Sequence, residues 1–370
     1  MSYPAVYRQQ EVEEDDQGLL TNCFGIASDS DDEGGGEAIQ ITGQLLPPTI
    51  TGMFVATLIR DAHKLSTGGI SAWHAILKVG RFNVAFWAYL FVMFLQIFVV
   101  VEMKILVTPM YVSSIRSTYD AFESVMYTDA SGVAHTYNTV NGFARGIGGH
   151  LDEQNFNLLS ADVQAEACRI PLSQPMYLFV ILLLWTLTCF DNIRGIGSTI
   201  MRVLWFSTPC VDSMADALQT VKDDPNARNV VGLTCTFKIL ITITLCGPLL
   251  VAILLLWLGS RWLLATVGFD ILLLNSVALE FILLLPELIY TAIVPLRTRY
   301  EVENTYINPV TPEEHRNFFS YFGTFGFGIL AIAYALLYMF VFQQVLPDYN
   351  WDVHEVCETF LEKIRSGMAG

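Results

Sequence analysis

Four stretches of this chain, residues 84–101, 176–190, 239–258 and 318–342, are apolar and uncharged over fifteen to twenty-five positions. A helix rises about 1.5 Å per residue, so about 17–25 apolar residues cross the hydrocarbon core of a bilayer. The shortest run, 176–190, continues as a helical pattern beyond Asp191. In lipid every backbone polar group must be satisfied inside the protein, which leaves a helical bundle as the architecture for such runs. Trp and Tyr near their ends fit interfacial belts. The expectation is an all-α, multi-pass transmembrane bundle.

A fifth stretch, 262–296, is apolar but carries Asp270, Glu280 and Glu287, with Pro286 inside it. It reads as a fourth span among five, or as an interfacial or re-entrant helix beside only four. Cytoplasmic segments carry an excess of Lys and Arg. Five spans place twelve basic residues on the inner side against seven outside, and four spans give eleven against eight, so five is preferred. That choice puts the N-terminus in the cytosol. Which membrane holds the chain, plasma or internal, is not written in these residues.

The organisation expected is therefore as follows. Residues 1–37 hold ten acidic side chains and one basic, Arg8, and form a disordered acidic tail. Ser28 and Ser30 each precede an acidic residue by three positions, which suits an acidophilic kinase. Residues 38–83 form a cytosolic amphipathic pre-membrane segment, and 84–107 the first span. An extramembrane loop, 108–174, holds a helix capped by Ser160. Spans at 175–193 and 239–258 are joined by cytosolic connecting helices over 194–238, with Asp191 and Arg194 paired at the inner end of the second. After 262–296 and the last span at 318–342, an amphipathic tail closes the chain over 343–370.

Composition excludes other classes. The chain is 53% hydrophobic, only 15% charged, and has a formal charge of −16. A nucleic-acid binder needs a basic patch to neutralise phosphates. The glycine-rich stretch 142–149 lacks the Lys-Ser/Thr ending of a phosphate loop. His135 and His150 have no nucleophile motif beside them, so no enzyme activity is expected. His354 and Cys357 alone do not make a metal site, and neither metal nor cofactor is expected. With an acidic start and a distant first apolar run, no signal peptide is expected.

Ionisable residues inside a span are costly and tend to mark substrate or ion pathways. On a helical wheel Ser276, Glu280 and Glu287 fall within about 40° of one another. With Asp270 and Asn275 they are the candidate ion pathway of a channel or ion-coupled transporter. The same stripe also suits a surface helix, or a non-transporting scaffold or accessory subunit. Gly323, Gly326 and Gly328 on the last span would let another helix approach closely, either within the chain or from a second copy in a homo-oligomer. Five spans also put Cys168 and Cys357 on one outer side, where a disulfide between them can form. The remaining cysteines near apolar runs, Cys189, Cys210, Cys235 and Cys246, read as packing residues.

The segment Leu-Asn-Ser-Val-Ala-Leu-Glu-Phe at 274–281, followed by Pro-Glu-Leu-Ile at 286–289, resembles a recurring segment in multi-pass membrane proteins of dinoflagellates and related algae. The tail at 346–353 and Cys357 resemble the same group. The likeness covers about residues 175–360, mostly by layout. It departs where Pro286-Glu287 stands in place of an Ile-Asp-Glu. It implies an architecture and a source, and carries no activity.

Overall fold

The computed structural model describes residues 44–68, 71–139, 142–206, 209–220, 227–307 and 318–367. The acidic run with Ser28 and Ser30 lies outside the described residues. Ten helices follow in order: α1 (Ile50–Ser66), α2 (Ala72–Glu102), α3 (Thr108–Met126), α4 (Ala161–Cys168), α5 (Pro175–Met201), α6 (Cys235–Ala265), α7 (Phe269–Ile293), α8 (Leu296–Glu303), α9 (Phe318–Leu337) and α10 (Asp352–Gly367). Among the described residues five helical stretches are long and apolar enough to cross a membrane: Ala72–Met126, Pro175–Leu204, Cys235–Ala265, Phe269–Ile293 and Phe325–Phe342. The protein has the architecture of a five-span integral membrane protein.

Among the described residues six short strands accompany the helices: β1 (Gln44–Leu45), β2 (Thr136–Asn138), β3 (Ala144–Gly146), β4 (Leu218–Thr220), β5 (Arg228–Val230) and β6 (Thr305–Ile307). Four of them form one sheet in the order β1-β6-β5-β4. β1 precedes the first span, β4 and β5 lie between the second and third, and β6 follows α7. Strands from these three segments pair with one another only if all three emerge on one side, so α7 must cross. Gly268, at φ +109°, closes the turn between α6 and α7, and its N–H donates to the Arg169 carbonyl at 3.0 Å. That turn therefore sits on the side opposite the sheet, beside α4.

The segments over 194–238 and 262–296 differ from their expected shapes. Residues 194–238 are not connecting helices alone. α5 runs to Met201, a π-helical turn continues to Phe206, and the strand pair β4–β5 follows. The third span does not stop at 258: Ser260, Trp262 and Ala265 are buried on it, and the acidic helix begins at Phe269. Helical structure does not end at 107 either. A π-helical turn, Met103–Val107, joins α2 to α3 without a break, and the Thr108 hydroxyl donates to the Met103 carbonyl at 2.9 Å. The segment before the membrane is more enclosed than an amphipathic helix would be, since Ile50 to Asp61 of α1 are all buried.

On the side away from the sheet, α3, the β2–β3 hairpin, α4 and α10 build a small domain around buried charge. The Arg145 side chain has no exposed surface and meets Glu123 at 2.9 Å and Asp120 at 3.1 Å. It also donates to the Pro347 carbonyl at 3.0 Å, tying the hairpin to the tail. The Gly146 N–H donates to the same Glu123 carboxylate at 3.0 Å. Tyr119 and Tyr127 both donate their hydroxyls to Asp352 at 2.9 Å. Cys168 at the end of α4 is joined to Cys357 of α10 with Cα atoms 5.3 Å apart.

Removing one partner of a buried ion pair leaves the other unpaired, at a cost of about 3–5 kcal/mol. Arg145→Met should therefore lower the unfolding midpoint of the purified protein sharply, and adding Glu123→Gln should restore part of the loss. The disulfide closes a loop between residues 189 apart in sequence. Cys357→Ser should cost about 2–5 kcal/mol and abolish the mobility difference between reduced and unreduced chains on a denaturing gel.

Candidate functional site

The acidic stripe expected to line a path does not converge inside the bundle. Asp270, Glu280 and Glu287 are all exposed on the outer surface of α7, among lipid-facing Leu273, Leu274 and Phe281. Ser276 turns its hydroxyl back to the Leu273 carbonyl at 2.7 Å. Asn275 alone points inward, where its side-chain amide donates to the Thr266 hydroxyl at 2.8 Å and fastens the α6–α7 turn. The stripe was legible as a common face. Which way that face points depends on the neighbours of α7.

The inward polar groups come from α2. Proline has no N–H, so the carbonyl four residues earlier in a helix loses its donor. α6 contains Pro248 and α7 contains Pro286, which frees the carbonyls of Thr244 and Ile282. The Tyr89 hydroxyl donates to the Thr244 carbonyl at 2.9 Å, and the Gln96 amide approaches the Ile282 carbonyl at 3.4 Å. Tyr89 and Gln96 are seven residues apart, so they share a face of α2. One helix thus serves the interruptions of two others. The signal was present in the sequence as a single polar residue, Gln96, in an otherwise apolar span.

Beside this contact lies a cavity of about 300 Å³. Pro248, Val251 and Ala252 line it from α6, Leu283 and Pro286 from α7, and Gln96 from α2. Asp191, Asn192 and Thr199 of α5 face it, and the chain entering α1 closes it with Pro47, Thr49 and Thr51. Gln96 is 3% exposed, and its carbonyl oxygen Oε1 has no hydrogen-bond partner. Among the described residues Asp191 is the only ionisable side chain in the lining. The expected pairing of Asp191 with Arg194 is absent among the described residues. Arg194 instead places its guanidinium 5.1 Å from the centre of the Phe327 ring. The cavity accordingly presents one negative charge, hydroxyl and amide oxygens, and a buried acceptor in need of a donor or a cation.

Other expected features separate. Gly326 and Gly328 have no neighbour within reach of an added Cβ, while Ala331 and Ala335 on the same helix are buried. The side-chain environment of Gly323 lies outside the described residues. Cys210 and Cys235, read as packing residues, are joined to each other with Cα atoms 5.8 Å apart. Their 25-residue separation carried no recognisable motif. His354 donates from Nδ1 to the Ser173 carbonyl at 2.7 Å, and Cys357 is in its disulfide. No family model, curated protein or solved structure matches the chain.

If Tyr89 serves the carbonyl that Pro248 frees, the two residues are energetically coupled across helices. Tyr89→Phe should cost about 0.5–1.5 kcal/mol of stability in detergent, within the range found for interhelical hydrogen bonds in membranes. In a Pro248→Ala background, where the residue-248 N–H can bond Thr244, the same change should cost much less. Equal costs in both backgrounds would sink the coupling.

Proposed function

We propose that this integral membrane protein binds a small cation in the cavity between α2, α5, α6 and α7 and moves it across the membrane. The observation that carries the reading is the buried, unpartnered Gln96 oxygen in a cavity whose one lining charge among the described residues is Asp191. An unsatisfied buried acceptor costs free energy that a bound cation or donor recovers. The hydroxyls of Thr49, Thr51 and Thr199 and the Asn192 amide supply further oxygens in the lining. In this reading the sheet side, with most of the basic residues, is cytosolic and so is the N-terminus. The algal proteins that segment 274–289 resembles support the layout only.

A second reading, a non-transporting scaffold or accessory subunit, is favoured by the outward carboxylates. Glu280 lies near the middle of α7 and is exposed to the lipid region of the single chain. Such a group is costly unless another protein covers it.

The two readings separate in liposomes containing the purified full-length chain. Transport predicts a cation flux above that of empty vesicles, lowered at least tenfold by Gln96→Leu and by Asp191→Asn and left intact by Glu280→Gln. Absence of flux for sodium, potassium, protons and calcium would overturn it. Cross-linking between copies through Glu280→Cys would then support the scaffold.

A further inference from the structure

The sheet side of the protein holds a second cavity, of about 380 Å³, that the proposed transport does not use. Arg60 and Lys64 of α1, Arg228 of β5 and Arg297 of α8 line it, together with Glu301. The one carboxylate is committed elsewhere, because Glu301 accepts from Arg81 at 2.5 Å. Arg60 is 8% exposed and bonds only neutral groups, the Thr305 hydroxyl at 2.8 Å and the Asn304 carbonyl at 2.6 Å. Arg228 donates to the Thr220 hydroxyl. Among the described residues none of the four cations forms an ion pair. Burial holds the Lys64 ammonium below the usual lysine range, and nearby Lys78 lowers it further. Glu301 offsets part of the charge of Arg60 and Lys64, which leaves an excess of positive charge around one space that a bound anion would relieve.

The position of the cavity indicates where that anion comes from. α8 starts directly after α7 leaves the membrane region, and its Leu296 is 80% exposed. Arg81, bonded to the Glu301 rim, lies one turn from Leu77 on α2, and Trp73, Ile76 and Leu77 are exposed and apolar. Lipid-facing surface thus reaches the level of the cavity, which opens at the boundary between bilayer and water. Basic pockets at this boundary suit phosphorylated lipid headgroups.

We propose that this cavity binds a phosphate-monoester anion, supplied by the headgroup of a phosphorylated inositol lipid in the leaflet on the sheet side. Arg60, held by its two neutral partners, forms the floor, and Lys64, Arg228 and Arg297 close around the phosphates. The acyl chains leave along the apolar surface beside Leu296.

The test uses the purified full-length chain, with thermal unfolding read against short-chain phosphatidylinositol bisphosphate. The lipid should raise the midpoint in a saturable way, whereas short-chain phosphatidylcholine should not. Lys64→Gln with Arg297→Gln should weaken the apparent affinity about 30-fold, the worth of two cations at a membrane surface. Lys104→Gln, on the opposite side, should leave it unchanged. Should the double variant not fold, Arg297→Gln alone, at an exposed position, should weaken binding about fivefold. Equal affinities in variant and wild type would overturn the site. Inositol trisphosphate or inorganic phosphate binding as tightly as the lipid would overturn the lipid source and leave a soluble phosphate as the ligand.

Discussion

In the bilayer a carbonyl without a donor cannot turn to water, and two prolines in the middle of α6 and α7 create two such carbonyls. α2 answers both, with Tyr89 and Gln96 placed one heptad apart. This arrangement fixes the rotation of α2 against its neighbours, because turning it would withdraw both side chains at once. Close approach is needed for the Tyr89 contact. At Gly247, beside Pro248, an added Cβ would lie 3.0 Å from the Tyr89 hydroxyl oxygen and from Met93. Gly259 does the same for the other flank of α6, where a Cβ would lie 2.7 Å from the Trp185 ring. Several other polar side chains in the spans follow the same rule locally. Thr186, Thr244 and Ser260 donate to the carbonyl four residues before each.

The spans are held at both ends by structures that draw on distant parts of the chain. On one side the sheet β1-β6-β5-β4 joins three connections, and Arg81 of α2 bonds both Asp61 of α1 and Glu301 of α8. On the other, Arg116 of α3 donates to the Gln344 and Val345 carbonyls, and the Cys168–Cys357 link adds a covalent tie to the tail. A site formed between α2, α5, α6 and α7 is therefore framed from above and below. Buried polar contacts of this kind are costly when incomplete and specifying when complete. The Gln96 oxygen is one of several buried polar atoms in the spans without a partner, with Trp185 Nε1, Trp262 Nε1 and the Tyr290 hydroxyl, and it is the acceptor among them that faces the cavity.

Hydropathy carried the number of spans, since a long uncharged run has few other solutions. It carried the boundaries poorly. Ser260, Arg261 and Trp262 read as the edge of the third span, yet tertiary packing continues that helix to Ala265. Thr108-Pro109 read as the end of the first, yet proline is tolerated at the start of a helical turn, and the π-helical turn carries the chain through. The strands β4, β5 and β6 are three residues each, too short for an alternating pattern to register. At the site, periodicity placed Ser276, Glu280 and Glu287 on one face correctly but contained nothing about what that face meets. Pairing of Tyr89 with Thr244, or of Cys210 with Cys235, depends on helices and loops brought together only by the fold.

The two disulfides carry an argument about sidedness. Cys168–Cys357 belongs to the domain beside the α6–α7 turn, whereas Cys210–Cys235 sits at the start of α6, next to the sheet. They lie on opposite sides of the bundle. In a membrane with one reducing and one oxidising side, thiols persist on the reducing side, so whichever way the chain is inserted only one of the two pairs faces conditions that keep it oxidised. The Cys168–Cys357 link joins two otherwise separate segments, α4 and α10, across 189 residues. The Cys210–Cys235 pair spans 25 residues, and there the backbone already pairs Cys210 with Leu233. Loss of the Cys210–Cys235 bond leaves that local pairing in place, whereas loss of Cys168–Cys357 leaves α10 held only by noncovalent contacts such as those of Asp352 with Tyr119 and Tyr127. The covalent tie therefore matters more to the fold at the Cys168–Cys357 end.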